Sequence, residues 1–137
     1  MHKKYELILN DFQYLDYIGE GSRKAFRIKA LRDFGDVKTG DLGGFVASEL
    51  NLSHDGNCWV YGEATVSEYG RVEGDAKVLE RAHVCGNAKV LGIASIDGDA
   101  VVCGNAVIAE GTLGGYTRLE ASAQTVSRKL SNRPPNP

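Results

Sequence analysis

A six-residue repeat runs through the middle of the chain and constrains its fold more than any other feature. Every sixth position carries a β-branched residue: Val60, Val66, Val72, Val78, Val84, Val90, Ile96, Val102 and Ile108. The position two residues before each of these is small: Cys58, Ala64, Gly70, Ala76, Ala82, Ala88, Ala94, Ala100 and Ala106. A pattern kept over this length predicts one structural unit repeated along the chain.

Each unit combines a short strand with a turn. Residues two apart in a strand share a face, so the small and β-branched side chains point the same way. Glycine follows at positions 62, 74, 86, 92, 98 and 104, often with Asp or Asn next, and these residue types tolerate a positive φ. Because the same face must point inward each time, the pattern argues against hairpins and predicts a coil that bends the same way at every corner.

The pattern Val-x-Gly-Asn-Ala-x resembles the hexapeptide repeat of left-handed parallel β-helices. The resemblance implies an all-β fold of about three to four triangular coils, each made of three hexapeptides. It also implies a left-handed coil, although crossovers between parallel strands are in general right-handed. Residues 58–111 supply three full coils. After Ile108 the pattern slips by one residue, and Leu113 and Leu119 continue it.

The rest of the chain divides around this repeat. Residues 1–45 form a predicted N-terminal β cap, in which alternating residues at 5–9 and 26–30 indicate two antiparallel strands. The "GEGS" stretch (19–22) supplies a turn between them, and 33–44 is expected to be a Gly- and Asp-rich loop. The β-helix is assigned to residues 46–122. The polar, proline-rich residues 123–137 are expected to be a flexible tail.

A closer resemblance covers roughly residues 25–110. The segments "DFGDVKTG" (33–40), "GGFV" (43–46), "LS" (52–53) and "GNCWVY" (56–61) resemble the region that leads into the repeats of YdcK-like proteins. These are β-helix proteins of bacteria and phages that are often labelled acyltransferases. Since that label follows from the fold, and a fold hosts many functions, the resemblance leaves the activity open.

Residues eighteen apart should stack on neighbouring strands, at the usual spacing of ~4.8 Å. The first face then stacks Trp59, Lys77 and Ser95, and beside them Tyr61, Leu79 and Asp97. Two outward aromatic residues on the first coil predict that the N-terminal segment folds over them and covers the open strand edge. The third face stacks Arg71, Lys89 and Val107, and beside them Glu73, Leu91 and Ala109, and its mixed charges should face solvent. One corner should stack Glu63, Arg81 and Asp99 with alternating sign.

The second face carries almost no charge, which is typical of the core of a protein interface. We expect it to mediate self-association into a dimer or trimer. Its predicted interface residues are Thr65, Ser67, His83, Cys85, Val101 and Cys103.

His83 is the candidate catalytic residue, because hexapeptide acyltransferases often use a histidine as general base beside a coenzyme A groove between subunits. The competing interpretation is an interface histidine, since the spacing offers no carboxylate partner. His54 is a weaker candidate. It falls in the β-branched column, and we expect the regular coil to begin after it.

Cys85 and Cys103 are eighteen residues apart and should therefore be neighbours. We expect stacked free thiols rather than a disulfide, because cytoplasmic thiols stay reduced. Two sulfurs without a nearby His or Asp do not predict a metal site.

Composition narrows the function classes. The 137 residues carry a net charge of -2 and no long basic run, so a nucleic-acid partner is not expected. No signal peptide or membrane span is recognisable, which predicts a cytoplasmic protein.

The leading hypothesis is a non-enzymatic β-helix module that acts through protein–protein contacts, such as a phage or prophage accessory or inhibitor protein directed at a host complex. It requires no cofactor. The alternatives are a coenzyme A-dependent acyltransferase with a site between subunits and a structural component of a virion.

Overall fold

The computed structural model describes residues 3–15 and 23–126 and is nearly all β, with the repeat wound into a β-solenoid of about 4 turns. A short 3-10 turn spans Glu49–Asn51, and no described segment forms a helix that could cross a membrane. The strands are β1 Tyr5–Leu15, β2 Arg23–Ala30, β3 Leu42–Val46, β4 Trp59–Val60, β5 Thr65–Val66, β6 Arg71–Val72, β7 Lys77–Val78, β8 His83–Val84, β9 Lys89–Val90, β10 Ser95–Ile96, β11 Val101–Ile108, β12 Thr112–Leu113 and β13 Arg118–Val126.

The predicted stacking of residues eighteen apart is confirmed on all three faces. Trp59 pairs with Lys77, which pairs with Ser95. The second face aligns Thr65, His83 and Val101, and the third aligns Arg71, Lys89 and Val107. Parallel ladders between successive coils satisfy the backbone, as where the Tyr61 amide donates to the Val78 carbonyl at 2.8 Å. The described coordinates are those of a hexapeptide-repeat β-helix, while its hand stays a prediction.

The interior of the solenoid is the β-branched column itself. All nine predicted Val and Ile side chains are at most 1% exposed, and the alanines beside them are buried to the same extent. Each buried Val or Ile contributes roughly 1.5–3 kcal/mol relative to an exposed one. The small column leaves room at each corner for the backbone to turn.

The corners use left-handed backbone, as predicted for the glycines. Every glycine of the predicted corner set has a φ between 59° and 71°. Two corners of the same column lack glycine, and there Glu68 and Glu80 adopt φ values of 55° and 59°. Each of these glutamates accepts a hydrogen bond from the next coil, Glu68 from the Gly86 amide at 2.8 Å and Glu80 from the Gly98 amide at 2.6 Å.

The repeat changes length at both ends of the solenoid. At the N-terminal end Leu52 bridges to Val72, which lies twenty residues later instead of eighteen. The segment from Leu52 to Val60 is therefore two residues longer than one repeat. His54 lies in this insertion and outside the β-branched column, which confirms that the regular coil begins after it. At the C-terminal end Ile96 pairs with Leu113, seventeen residues on, and the predicted one-residue slip is confirmed.

The N-terminal cap is an antiparallel continuation of the second face. Strand β1 pairs with β2, β2 with β3, and β3 then runs parallel to β5, so the predicted antiparallel element is confirmed. The predicted loop over 33–44 ends earlier, because β3 begins at Leu42 and contains Gly43 and Gly44. The "GEGS" turn (19–22) lies outside the described residues.

The cap covers the first coil. Trp59 is 1% exposed and packs against the rings of Phe34, with centroids 5.2 Å apart, and Tyr5, at 6.2 Å. Tyr61 is half-buried, and its hydroxyl donates to Asp36 at 2.8 Å. The prediction that the N-terminal segment folds over these two outward aromatics is confirmed.

One predicted boundary and one predicted set of contacts differ from the structure. Strand β13 runs to Val126, so regular structure extends past residue 122, and residues 127–137 of the predicted tail lie outside the described residues. At the charged corner Arg81 forms a bidentate pair with Asp99 at 2.8 and 3.2 Å. The ion pair of Glu63 is with Arg27 of the cap, at 3.5 Å.

Candidate functional site

The second face brings a hydroxyl and an imidazole together. Ser67 and His83 lie on neighbouring coils, and Ser67 Oγ is 3.0 Å from His83 Nε2. Ser67 is 1% exposed, whereas His83 is half-buried. The stacking that the repeat predicts therefore creates a polar pair inside a face that is otherwise apolar.

Burial favours the neutral form of the His83 imidazole. Loss of solvent lowers the pKa of His83 below its ordinary value, and the negative charge of Glu68 opposes that shift. A neutral imidazole can accept a proton, which is the property a general base needs. Glu68 belongs to the corner between the second and third faces, and its charge near His83 was not predicted from the sequence. The one indication in the sequence is that glutamate replaces glycine at this corner.

Cys85 and Cys103 stack on consecutive coils, with their Cα atoms 4.7 Å apart. The predicted neighbourhood of the two cysteines is confirmed, and their thiol state stays a prediction. The parallel ladder brings the two Cα atoms within the separation that disulfides require. Cys58, by contrast, is a buried free thiol beneath the cap.

The predicted interface residues differ in their solvent exposure. Thr65, Ser67 and Cys85 are 7%, 1% and 4% exposed within the chain itself. His83, Val101 and Cys103 are half-buried. Self-association through this face stays a prediction, and a partner would contact mainly the second group.

His54 is held inside the cap. Its ring stacks on Tyr5 with centroids 4.2 Å apart and planes 11° from parallel. Its Nδ1 accepts from the Lys4 amide at 3.0 Å, and its Nε2 lies 2.9 Å from a carboxylate oxygen of Glu49. These contacts give His54 a structural role in fixing the start of β1 against the 3-10 turn.

A small cavity lies where the 3-10 turn meets the corner between the second and third faces, and we call it the Tyr69 cavity. Its volume is about 220 Å³. The side chains of Leu50 and Tyr69 at its rim are 72% and 77% exposed. Sequence reasoning missed this cavity, because the 3-10 turn at Glu49–Asn51 precedes the repeat and has no periodic signal. It is lined by Ser48, Leu50, Asn51, Glu68, Tyr69, Gly70 and Arg71.

The floor of the Tyr69 cavity is rigid. Asn51 is fully buried, its side-chain oxygen accepts from the Ser48 amide at 2.8 Å, and its side-chain nitrogen donates to the Gly70 carbonyl at 2.8 Å. At one side the Arg71 guanidinium pairs with Glu73 at 2.7 Å, and the next strand places exposed Lys89 beside it. The cavity is thus a largely apolar slot whose charged lining residues are Glu68 and Arg71, and Arg71 is already paired with Glu73.

The comparison with known proteins agrees with the fold. Over 73 residues, or 51% of the chain, the sequence is 32% identical to a protein of Escherichia coli strain K12 named "Uncharacterized acetyltransferase YdcK". The chain is a hexapeptide-repeat β-helix similar to YdcK. The match spans 22% of that relative's length. No protein-family model matches the chain.

Proposed function

We propose that this β-helix is a non-enzymatic module that binds another protein through the Tyr69 cavity. The observation that carries the proposal is the pair of large apolar side chains, Leu50 and Tyr69, exposed at the rim of a preformed cavity. Exposed apolar groups around a concave site are typical of interaction surfaces, and tyrosine is a frequent anchor of binding energy.

The dimensions of the Tyr69 cavity favour a protein side chain over a cofactor. Its volume of about 220 Å³ is below the roughly 300 Å³ at which small-molecule sites begin. One apolar side chain of a partner fills such a space. The hydrogen-bonded floor at Asn51 limits the ordering cost of binding.

The test is affinity capture with matched variants. The immobilised wild-type chain and Tyr116→Ala, which removes an 83%-exposed ring elsewhere, should retain the same protein. Tyr69→Ala and Leu50→Ala should each weaken binding of that protein by roughly tenfold or more, as expected for an interface anchor. Equal retention by all four chains would refute the assignment to this cavity. A host complex as the partner, a role in a virion and a cytoplasmic location stay predictions.

Acyl transfer is the second candidate, and the similarity to YdcK favours it. In this hypothesis His83 acts as general base at a coenzyme A site completed by a second subunit. Its support in the chain is a half-buried imidazole, with a pKa that burial lowers, on the face with the least charge.

Coenzyme A binding separates the two hypotheses. An acyltransferase should gain thermal stability with coenzyme A or acetyl-coenzyme A. His83→Gln should abolish turnover while the melting temperature without ligand changes little. If neither ligand shifts the melting temperature, the acyltransferase hypothesis is wrong, and the binding-module proposal is unaffected.

A further inference from the structure

A lysine and a cysteine share one buried site where the cap meets the first coil. The side-chain nitrogen of Lys4 lies 3.3 Å from the sulfur of Cys58, and both residues are fully buried. The two residues are 54 positions apart in the sequence, so the fold alone brings them together. A nitrogen this close to a thiol is placed to react with the sulfur once the sulfur has been oxidised.

The surroundings of the Lys4 nitrogen favour a nucleophilic amine. Loss of solvent lowers the pKa of Lys4, which favours the neutral form with its electron pair. A neutral amine has two N–H groups, and the carbonyls of Gly56 and Cys58 accept from this nitrogen at 3.2 and 2.8 Å. With both donors directed at carbonyls, the electron pair is left to face the Cys58 sulfur. The reacting atoms are therefore neighbours before any bond forms.

Access to the sulfur requires the start of the cap to open. In the closed site burial raises the pKa of Cys58 and shields its thiol from oxidants. Among the described strands, β1 pairs with β2 alone, and segments held along one edge open at a lower free energy than the core. Opening at Lys4 exposes the sulfur, and closing returns the amine to it.

We propose that Lys4 and Cys58 form an oxidative cross-link, a sulfenamide, between the cap and the first coil. Hydrogen peroxide first oxidises the Cys58 thiol to a sulfenic acid: the O–O bond breaks, one oxygen joins the sulfur, and the other leaves as water. The Lys4 nitrogen then attacks the sulfur. An S–N bond forms, the S–O bond breaks, and the hydroxyl leaves as water with one proton of the amine. The sulfur loses two electrons to the peroxide, and the protein loses two hydrogens in total.

The cross-link would hold the cap closed. It joins residues with a sequence separation of 54, and closing so long a loop restricts the unfolded chain. The oxidised protein should therefore resist urea better than the reduced protein. An excess of a thiol reductant cleaves the S–N bond and restores both side chains, so the modification is reversible. This inference is independent of the Tyr69 cavity.

The test uses the full chain with Cys85→Ser and Cys103→Ser, which leaves Cys58 as its single thiol. After treatment with hydrogen peroxide, peptide mapping by mass spectrometry should show Lys4 joined to Cys58, with two hydrogens fewer than the separate peptides. Dithiothreitol should remove the link, and the linked chain should have a higher urea midpoint. The same chain oxidised in concentrated urea, where the folded contact is lost, should gain oxygen at Cys58 without this link.

Two lysine variants provide the controls. Lys3→Met removes the adjacent exposed amine, which pairs with Glu49 at 3.0 Å, and should still form the link. Lys4→Arg keeps donors for the two carbonyls but removes the amine, so Cys58 should gain oxygen only.

Three outcomes overturn the proposal: a folded chain that peroxide leaves unchanged or only oxygenated at Cys58, a link at Lys3 in place of Lys4, or loss of two hydrogens in Lys4→Arg. Should Lys4→Arg fail to fold, the peptide map of the chain that retains Lys4 decides, because it requires no substitution at the site.

Discussion

The side-chain nitrogen of Lys4 lies 3.3 Å from the thiol sulfur of Cys58, and both side chains are fully buried. The same nitrogen donates to the carbonyls of Cys58 and Gly56, at 2.8 and 3.2 Å. These carbonyls belong to the start of the first coil. One lysine of the cap therefore satisfies backbone groups that the open end of the solenoid would otherwise leave buried and unpaired.

Replacing Lys4 with methionine should destabilise the protein. Burial lowers the pKa of Lys4 and raises that of Cys58, so the site is costly, but the two carbonyls need its donors. Lys4→Met leaves those acceptors unsatisfied and should lower the free energy of unfolding by about 1–3 kcal/mol in urea titrations. Lys3→Met, at an exposed ion pair, should change it by less than about 1 kcal/mol. Equal losses in the two variants would contradict this role of Lys4.

Gly43→Ala should loosen the cap. A Cβ at Gly43 would lie 2.5 Å from the Val60 carbonyl oxygen and 2.7 Å from the Trp59 ring. We expect a loss of roughly 1–3 kcal/mol and a red shift in the emission of Trp59, the single tryptophan. In the control Gly40→Ala, the added methyl meets no atom within 4 Å, so only backbone strain at its φ of 92° applies and the emission should stay unchanged.

Because Glu80 has a left-handed φ, replacing it with alanine should lower the stability more than replacing it with glycine. Glu80→Ala keeps the unfavourable φ of 59° and loses the hydrogen bond from Gly98, so it should cost about 1 kcal/mol or more. Glu80→Gly loses the same bond but removes a backbone strain of roughly 1–2 kcal/mol, and its stability should stay near wild type. Urea denaturation of the two variants side by side checks this, and an alanine variant as stable as the glycine variant would argue against a strained corner.

Oxidation of the stacked Cys85 and Cys103 to a disulfide should add measurable stability. The bond would close a loop with a sequence separation of 18, for which chain-entropy arguments give roughly 3 kcal/mol. In the oxidised wild type a reductant should therefore lower the denaturation midpoint. Cys103→Ser should start from that lower midpoint and show no further effect of the reductant. An identical midpoint of the wild type with and without reductant would place the two residues as free thiols in solution.

The lowered pKa of His83 predicts that the protein loses stability in mild acid. Its pKa is lower in the folded chain than the ordinary value of 6.5. As the pH falls below about 6.5, the unfolded chain takes up a proton before the folded one does, so the free energy of unfolding decreases. The decrease stops once the pH passes below the folded pKa. His83→Gln should lack this component of the slope between neutral pH and mild acid, and an unchanged slope would show that burial does not act on His83 in this way.

The sequence predicted the solenoid in detail because the six-residue repeat shows which side chains face inward. Once the phase was set on Val60, the partners of Trp59, His83 and Arg71 followed by counting. The same logic predicted the slip after Ile108 and the covering of Trp59. These features follow from the periodicity of the chain, which one sequence is enough to show.

The site was less predictable because it depends on contacts without periodicity. Glu68 comes near His83 only because a non-glycine residue adopts the left-handed corner. The Tyr69 cavity depends on the 3-10 turn at Glu49–Asn51, which precedes the repeat. The closeness of Cys85 and Cys103 followed from the ladder, whereas their thiol state depends on the redox conditions around the protein.

The change of register at each end also sets how the chain can vary in length. Between Val60 and Ile108 each coil offers its neighbours the same ladder of amides and carbonyls and the same inward column. Deleting or duplicating eighteen residues in this span would shorten or extend the prism by one strand spacing, about 4.8 Å, and leave the junction with the cap unchanged. Deleting or duplicating six or twelve residues would instead rotate every later face relative to the cap. Length in this protein is therefore adjustable in whole coils.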